Sequence, residues 1–193
     1  MTNERAIDRK TIGLSSYREV LLSLALILAF TALTSLGALV RIPLPMTPVP
    51  ITLQTLMVLL AGAMLGSKRG LASQFLYVVW GVSGLPLFAG AAAGFAIIAG
   101  PTGGYLIGFI VAAFIVGQLI DRADTLLKQV GVFSLGTAAI LLIGWIQLSV
   151  LFAGGNFAHG LTLGVLPFLP GAVLKIAAAT SIWRAWTVLR KKY

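Results

Sequence analysis

Long apolar runs, separated by short and mostly basic loops, dominate this 193-residue chain. Several runs approach the length of about 20 apolar residues that spans a bilayer. Backbone in lipid must pair its own N–H and C=O groups, which restricts it to helices or closed barrels. Only 10% of the residues are charged, against about 25% in a soluble domain. The sequence therefore predicts an all-α polytopic membrane protein with about six transmembrane helices.

The predicted spans differ in length and regularity. The second span would reach only about 22 Å as a helix, short of a hydrocarbon core of about 30 Å, so we expect its start to lie below the outer surface. Glycine, alanine and proline interrupt residues 81–99, which indicates a broken third helix and re-entrant loops on the outer side. The spans are expected at residues 20–40, 51–65, 71–80, 100–120, 131–152 and 170–189.

The distribution of charge predicts the orientation, because cytoplasmic loops carry an excess of Lys and Arg. With both termini in the cytoplasm, twelve of the 14 basic residues and all 5 acidic residues fall on the inner side of the cell membrane. Residues 1–19 are then a cytoplasmic tail, residues 20–189 a single transmembrane domain, and residues 190–193 a basic tail. The two basic residues left over are Arg41, at the outer edge, and Lys175, within the membrane.

Lys175 lies among alanine, isoleucine, leucine and valine in the last span. A charged side chain at this depth costs about 2.5–3.5 kcal/mol even on the lenient insertion scale, so it usually faces a cavity, a partner or a ligand. Pro170 suits the first turn of a helix, which places Lys175 near a partially positive helix N-terminus. This arrangement predicts an anion site, although snorkelling or bonding to backbone carbonyls would also accommodate the lysine.

Three predicted helices begin at the outer side with runs rich in proline or glycine. The starts end at Gln54, Tyr105 and Lys175. Helix N-termini that point at a substrate carboxylate are a known transporter device, and the outer half contains no carboxylate of its own. We therefore expect a small substrate that bears an anionic group. The candidate substrate-binding residues are Lys175, Gln54, Thr52, Tyr105, Thr102, Phe88, Trp80, Asn156 and Arg41.

Several of these residues have a structural alternative. Arg41 is also compatible with a snorkelling anchor, and Tyr105 with an interfacial aromatic residue. Gln54 and Gln147 could each serve only to bridge helices through hydrogen bonds. His159 stands alone in a loop, where a functional role has little support from its surroundings.

Other classes of function find no supporting motif. The chain has no H-E-x-x-H or G-x-S-x-G sequence, and Gly100-Pro-Thr-Gly-Gly104 lacks the Lys-Ser/Thr ending of a phosphate-binding loop. It has no cysteine, and its basic residues are scattered rather than gathered on one face. We expect no enzyme, no cofactor, no metal and no nucleic-acid partner. No proton relay or nucleotide motif is present to drive uptake.

Taken together, four motifs resemble the BioY family, the membrane-embedded substrate-binding (S) components of energy-coupling factor (ECF) transporters that capture biotin. The resemblance starts near residue 20 and rests on Pro48-Val-Pro-Ile-Thr-Leu-Gln54, Leu85-Pro-Leu-Phe-Ala-Gly90, Gly100-Pro-Thr-Gly-Gly-Tyr105, and Pro167-Phe-Leu-Pro-Gly171 with Lys175. It implies six helices with an outward-facing pocket for biotin or an analogue. It also implies a transmembrane coupling (T) subunit and ATP-binding subunits as partners.

The resemblance extends to docking and has two departures. Such S components dock on the coupling subunit through small residues of the first helix, for which Ala25 and Ala29 are the matching pair; packing inside the chain is the alternative. The acid that family members usually carry after Pro-Gly is Ala172 here, and an arginine that some carry is Ala92. These departures predict weaker biotin binding or a related ligand such as dethiobiotin.

Two other functions stay open from the sequence. One is a membrane interaction or structural protein without a ligand, and the other is a secondary carrier of a small organic anion. Only a binding subunit should retain biotin in stoichiometric amount through purification.

Overall fold

The computed structural model describes residues 2–192, with the side chains of residues 17–190, and confirms the predicted all-α architecture. Short 3₁₀ turns at Ile120–Arg122 and Leu166–Phe168 precede two of the helices. The predicted tails fall partly outside the described residues, and their location stays a prediction. In chain order the elements are α1 (Thr2–Leu39), β1 (Arg41–Ile42), β2 (Ile51–Thr52), α2 (Gln54–Val82), α3 (Phe95–Ile98), α4 (Gly103–Leu119), α5 (Leu126–Leu151), α6 (Phe157–Gly164) and α7 (Leu169–Lys192).

The described residues include four regions long and apolar enough to cross a membrane, and α2 adds two shorter limbs. The helix α2 is interrupted at Gly66, whose φ of 77° and ψ of 176° are not helical and which, as a glycine, adopts positive φ at no steric cost. Its two limbs, residues 54–65 and 67–82, are each shorter than a usual span, which agrees with the short second and third spans predicted above. The four regions with the length and hydropathy of complete spans are Tyr17–Leu39, Gly103–Arg122, Leu126–Leu151 and Phe157–Arg190.

Glycines allow α4 to approach its two neighbours closely. A Cβ atom on Gly62 of α2 would lie 2.5 Å from the carbonyl oxygen of Ala113 in α4. On the other side of α4, a Cβ atom on Gly108 would lie 2.8 Å from Cα of Ile140 in α5. Small residues at such contacts are typical of membrane helices, which gain no hydrophobic drive from leaving lipid. The α2–α4–α5 layer is therefore the tightly packed centre of the bundle.

Hydroxyl groups attach α1 to the second limb of α2. Thr31 Oγ1 donates to the Ser73 carbonyl oxygen at 2.9 Å, and Thr34 Oγ1 accepts from Gln74 Nε2 at 3.2 Å. At 3.6 residues per turn, Ala25 and Ala29 lie on the opposite face of α1, and both are exposed. The alternative that these two alanines pack inside the chain is therefore wrong.

Three local elements differ from the sequence expectation. The proline-rich segment ends in a two-residue antiparallel ladder, with Arg41 opposite Thr52, so α2 begins at Gln54 rather than at residue 51. Helix α5 begins five residues earlier than expected because Thr125 caps it, its hydroxyl accepting from the Lys128 amide at 3.3 Å. A helix, α6, forms where a loop was expected because Asn156 caps its first turn.

The loop between α4 and α5 contains the only ion pair among the side chains that the structure describes. Lys128 Nζ lies 2.7 Å from Asp124 Oδ1. This hydrogen bond and charge hold the pKa of the Asp124 carboxyl below its usual value. Both side chains are exposed, so the pair contributes little to stability.

We expect Gly62→Val to destabilise the protein, because its new side chain would collide with the backbone of α4. Overpacking of this kind costs about 1–3 kcal/mol, which corresponds to a fall in Tm of about 3–10 °C for a chain of this size. The matched control is Gly131→Val in α5, where a Cβ atom would meet nothing within 4 Å. Thermal unfolding in detergent measures both, and equal Tm values would contradict the close contact.

Candidate ligand site

A cavity of 330 Å³ lies where α2, α4 and α7 begin. Its wall also includes the loop before α3 and the middle of α5. The three helix starts that the sequence analysis expected on one side thus meet at a single space. Seven of the nine candidate residues line it, namely Arg41, Thr52, Gln54, Phe88, Thr102, Tyr105 and Lys175.

The charge of the lining is entirely positive. Lys175 is partly buried on the second turn of α7, and Arg41 is exposed at the rim. The Arg41 guanidinium packs against Gly90, where a Cβ atom would lie 2.8 Å from its Cζ atom. None of the lining residues is Asp or Glu, and neither cation has a salt-bridge partner among the described side chains. Partial burial reduces the dielectric around Lys175, and together with the exposed Arg41 this cation favours an anionic group.

Gln54 is held by two neighbours rather than left free. Its Oε1 atom accepts from Thr52 Oγ1 at 3.1 Å, and its Nε2 atom donates to the Tyr77 hydroxyl. Tyr77 in turn donates to the Leu87 carbonyl oxygen at 3.3 Å. This chain of hydrogen bonds links β2, both limbs of α2 and the following loop. Gln54 therefore has the bridging role that the sequence analysis gave as an alternative, and it also lines the cavity.

Phe88 anchors the loop of residues 83–94 over the cavity. Its ring is 2% exposed, and it meets the Tyr77 ring edge-on with a centroid distance of 5.5 Å. The backbone of the loop turns back at this point, because the Phe88 amide donates to the Ala92 carbonyl oxygen at 3.1 Å. Both Phe88 and Ala92 line the cavity, so the loop forms one of its apolar walls.

Tyr105 is buried and does not lie at an exposed interface. Its hydroxyl donates to the Gly164 carbonyl oxygen of α6 at 2.7 Å, and its ring lies 6.0 Å from that of Phe168. The hydroxyl therefore fixes the end of α6, and the ring contributes to the cavity wall.

Gln147 holds the glycine-rich start of α4 in place. Its Nε2 atom donates to the carbonyl oxygens of Ile98 at 2.7 Å and Gly100 at 2.8 Å. Both acceptors belong to the turn that leads into Thr102, which lines the cavity. Gln147 itself does not line the cavity, so its role is to bridge α5 and this turn.

Two candidate residues do not lie at the cavity. Trp80 is on the last turn of α2, is 36% exposed and is absent from the lining. Asn156 is exposed, and its side chain accepts from the His159 amide at 3.0 Å to cap α6. Helix phase turns Trp80 away from the cavity, whereas the Asn156 side chain is engaged in capping a helix where a loop was expected.

The lining also includes residues that the sequence analysis did not select. Thr55 and Leu59 follow Gln54 on α2, and Thr137 and Ile140 lie on α5. Ala172, at the first departure from the family pattern, is 9% exposed and lines the cavity as well. The sequence feature that could have indicated Thr55 is its position beside Gln54 at a helix start. Thr137 carried no signal, because a single threonine in an apolar helix usually bonds to its own backbone.

In the described part of the chain, no group of three or more His, Asp or Glu side chains lies close enough together to hold a metal ion. The cavity offers two cations, neutral hydroxyl and amide groups, and apolar walls. This composition suits a small molecule with one anionic end and one neutral polar end.

Comparison with known proteins matches residues 8–192 to the BioY family. The chain is 43% identical over 158 residues to a probable biotin transporter BioY of Pyrococcus horikoshii, covering 82% of this chain and 91% of the relative. It is 36% identical over 153 residues to the biotin transporter BioY of Thermotoga maritima, covering 79% and 88%. The S-component for biotin from an ECF-type ABC transporter, a crystal structure, has the same fold, with a TM-score of 0.80, 28% identity, and coverage of 90% of this chain and 93% of that one.

Proposed function

This chain belongs to the BioY family, and we propose that it is the S component that captures biotin, or a close analogue, from the outer side of the cell membrane for uptake by an ECF transporter. It is a multi-pass membrane protein, and the family is one of transport components rather than enzymes. The two relatives described above are named as biotin transporters, and this chain matches them over most of their length.

The cavity at the helix starts is the observation that carries the proposal. Biotin has a carboxylate at the end of an aliphatic chain and a neutral ureido ring at the other end. The Lys175 ammonium and the Arg41 guanidinium are available to the carboxylate, and Phe88 and Tyr105 line the path of the aliphatic and ring portions. A cavity with both cations and no acid in its lining fits such a ligand better than it fits a cation or a neutral lipid.

Calorimetric titration of the purified protein with biotin tests the proposal. We expect one biotin per chain, and weaker binding of biotinamide, whose carboxylate is replaced by a neutral amide. Dethiobiotin in parallel identifies whether the departures at Ala172 and Ala92 favour an analogue. If none of these ligands binds, the protein is not a biotin S component, and the alternatives of an organic anion carrier or a ligand-free interaction protein take its place.

We further propose that uptake requires a transmembrane T subunit and ATP-binding subunits, with both termini of this chain in the cytoplasm. The basic residues of the predicted inner loops support that orientation. Docking through α1 is supported by the exposure of Ala25 and Ala29 on the face opposite the α1–α2 contact. Small residues there would let a coupling helix approach closely.

Lys175→Ala is expected to weaken biotin binding by at least about tenfold, or 1.4 kcal/mol. The reason is that Lys175 is a partly buried cation at the cavity with no acidic partner in its lining. Calorimetric titration measures the change. Arg184→Ala, an exposed cation further along α7, is the control and should bind as the parent does. Equal affinity in the folded Lys175→Ala protein would make the lysine a snorkelling residue instead.

Ala25→Trp and Ala29→Trp are expected to abolish biotin uptake in cells that supply the coupling subunits and to leave equilibrium biotin binding intact. The bulky rings would hold the coupling helix away, while no described side chain of α1 lines the cavity. Leu24→Trp, at a residue that is also exposed on α1 but about 100° from Ala25 around the helix, is the control. Full uptake by both alanine variants would refute the docking assignment.

A further inference from the structure

One buried hydroxyl group in the cavity wall has no hydrogen-bond partner among the described residues. Among the described side chains, three buried polar atoms lack a hydrogen bond, and they are Thr55 Oγ1, Gln129 Oε1 and Ser149 Oγ. Of these residues only Thr55 lines the cavity. A buried polar group without a partner is costly, so natural proteins seldom keep one without a reason.

The position of Thr55 in the chain explains why its hydroxyl is unpaired. Other buried threonines bond to the carbonyl four residues earlier in their own helix, as Thr34 does to Phe30 at 2.9 Å and Thr180 to Ile176 at 2.8 Å. Thr55 is the second residue of α2, and the two residues at positions 51–52 before it form strand β2. No preceding helical turn offers a carbonyl to this hydroxyl.

Thr55 lies towards the apolar floor of the cavity rather than at its charged rim. Leu59, one turn further along the same face of α2, is 0% exposed, and Ile140 and Phe109 are 1% and 3% exposed. All three line the cavity. Arg41, by contrast, is exposed. A ligand with its anionic end at the cations therefore places its neutral end among these deep residues.

We propose that the Thr55 hydroxyl binds the neutral, hydrogen-bonding end of the ligand and sets the specificity of the cavity for that end. The inference rests on the proposed function, under which this end is the ureido ring of biotin. A hydroxyl can accept from a ureido N–H or donate to the ureido carbonyl. The lining has no carboxylate, and the Gln54 amide oxygen already accepts from Thr52, so the unpaired Thr55 hydroxyl is a side-chain acceptor that is free for the ligand.

Substitution by an isosteric residue tests the role of the hydroxyl. Thr55→Val should weaken biotin binding by about tenfold in calorimetric titration, and Thr55→Ser should restore it to within about threefold of the parent. The control is Thr180→Val, which removes a buried hydroxyl that is already paired and lies away from the cavity, and it should change the affinity less than threefold.

The stability of the ligand-free protein separates binding from folding. Thr55→Val removes an unpaired buried hydroxyl, so its Tm without ligand should equal or exceed that of the parent. A lower affinity combined with an unchanged or higher Tm is the signature of a ligand contact. A Tm that falls together with the affinity would assign the hydroxyl a structural role and overturn the inference.

Biotinamide identifies which end of the ligand the hydroxyl contacts. Because the contact is to the ureido end, Thr55→Val should weaken biotin and biotinamide by the same factor. If Thr55→Val weakens the binding of biotin but not that of biotinamide, the hydroxyl contacts the carboxylate and the assignment is overturned. If the parent binds biotin and Thr55→Val binds it equally well, the inference fails and the proposed function stands. If the parent binds neither biotin nor biotinamide, both fail.

Discussion

The structure depends on one constraint, which is that a polar group inside a bilayer must find its partner within the protein. Along α1 and α2 this constraint is met by short bonds between neighbouring helices, as between Thr31 and the Ser73 carbonyl. Near the helix starts it is met by the Gln54 amide, which engages both Thr52 and Tyr77. The cavity is one place where the constraint is incompletely met: among the described side chains, Lys175 and Arg41 have no salt-bridge partner there and the Thr55 hydroxyl has no hydrogen bond. These unpaired groups at the cavity are the ones that a ligand can pair.

Rigid surroundings make these unpaired groups useful. The walls of the cavity come from elements tied together by bonds of their own, such as the Gln147 amide that holds two carbonyls before α4 and the Tyr105 hydroxyl that holds the end of α6. Close contacts at Gly62 and Gly108 fix α4 between α2 and α5. A ligand therefore meets groups whose positions are already set, and less of its binding free energy is spent on ordering the protein.

Much of this arrangement could be predicted from the sequence, because the strongest signals in a membrane chain are long apolar runs and the few residues that break them. The helical membrane fold, the short first limb of α2 and the convergence of three helix starts all follow from such signals. The phase of each helix does not. Trp80 falls in the right region but faces elsewhere. The capping of α6 by Asn156 and the pairing of Arg41 with Thr52 in a two-residue ladder depend on local geometry and on contacts between segments. Thr55 could not be identified as a ligand contact from the sequence. Its hydroxyl is unpaired because strand β2, and not a helical turn, precedes it, and this is visible only in the structure.

The unequal exposure of the two cations has a kinetic consequence. Arg41 lies at the rim in contact with solvent, and Lys175 is partly buried. The field of an exposed charge guides an anion during diffusion, but mobile ions screen it over roughly 8 Å at physiological ionic strength. A shielded charge is screened far less. For an anionic ligand, the association rate therefore varies with the ionic strength of the medium at the rim, while the residence time depends more on the partly buried Lys175, where screening is weaker.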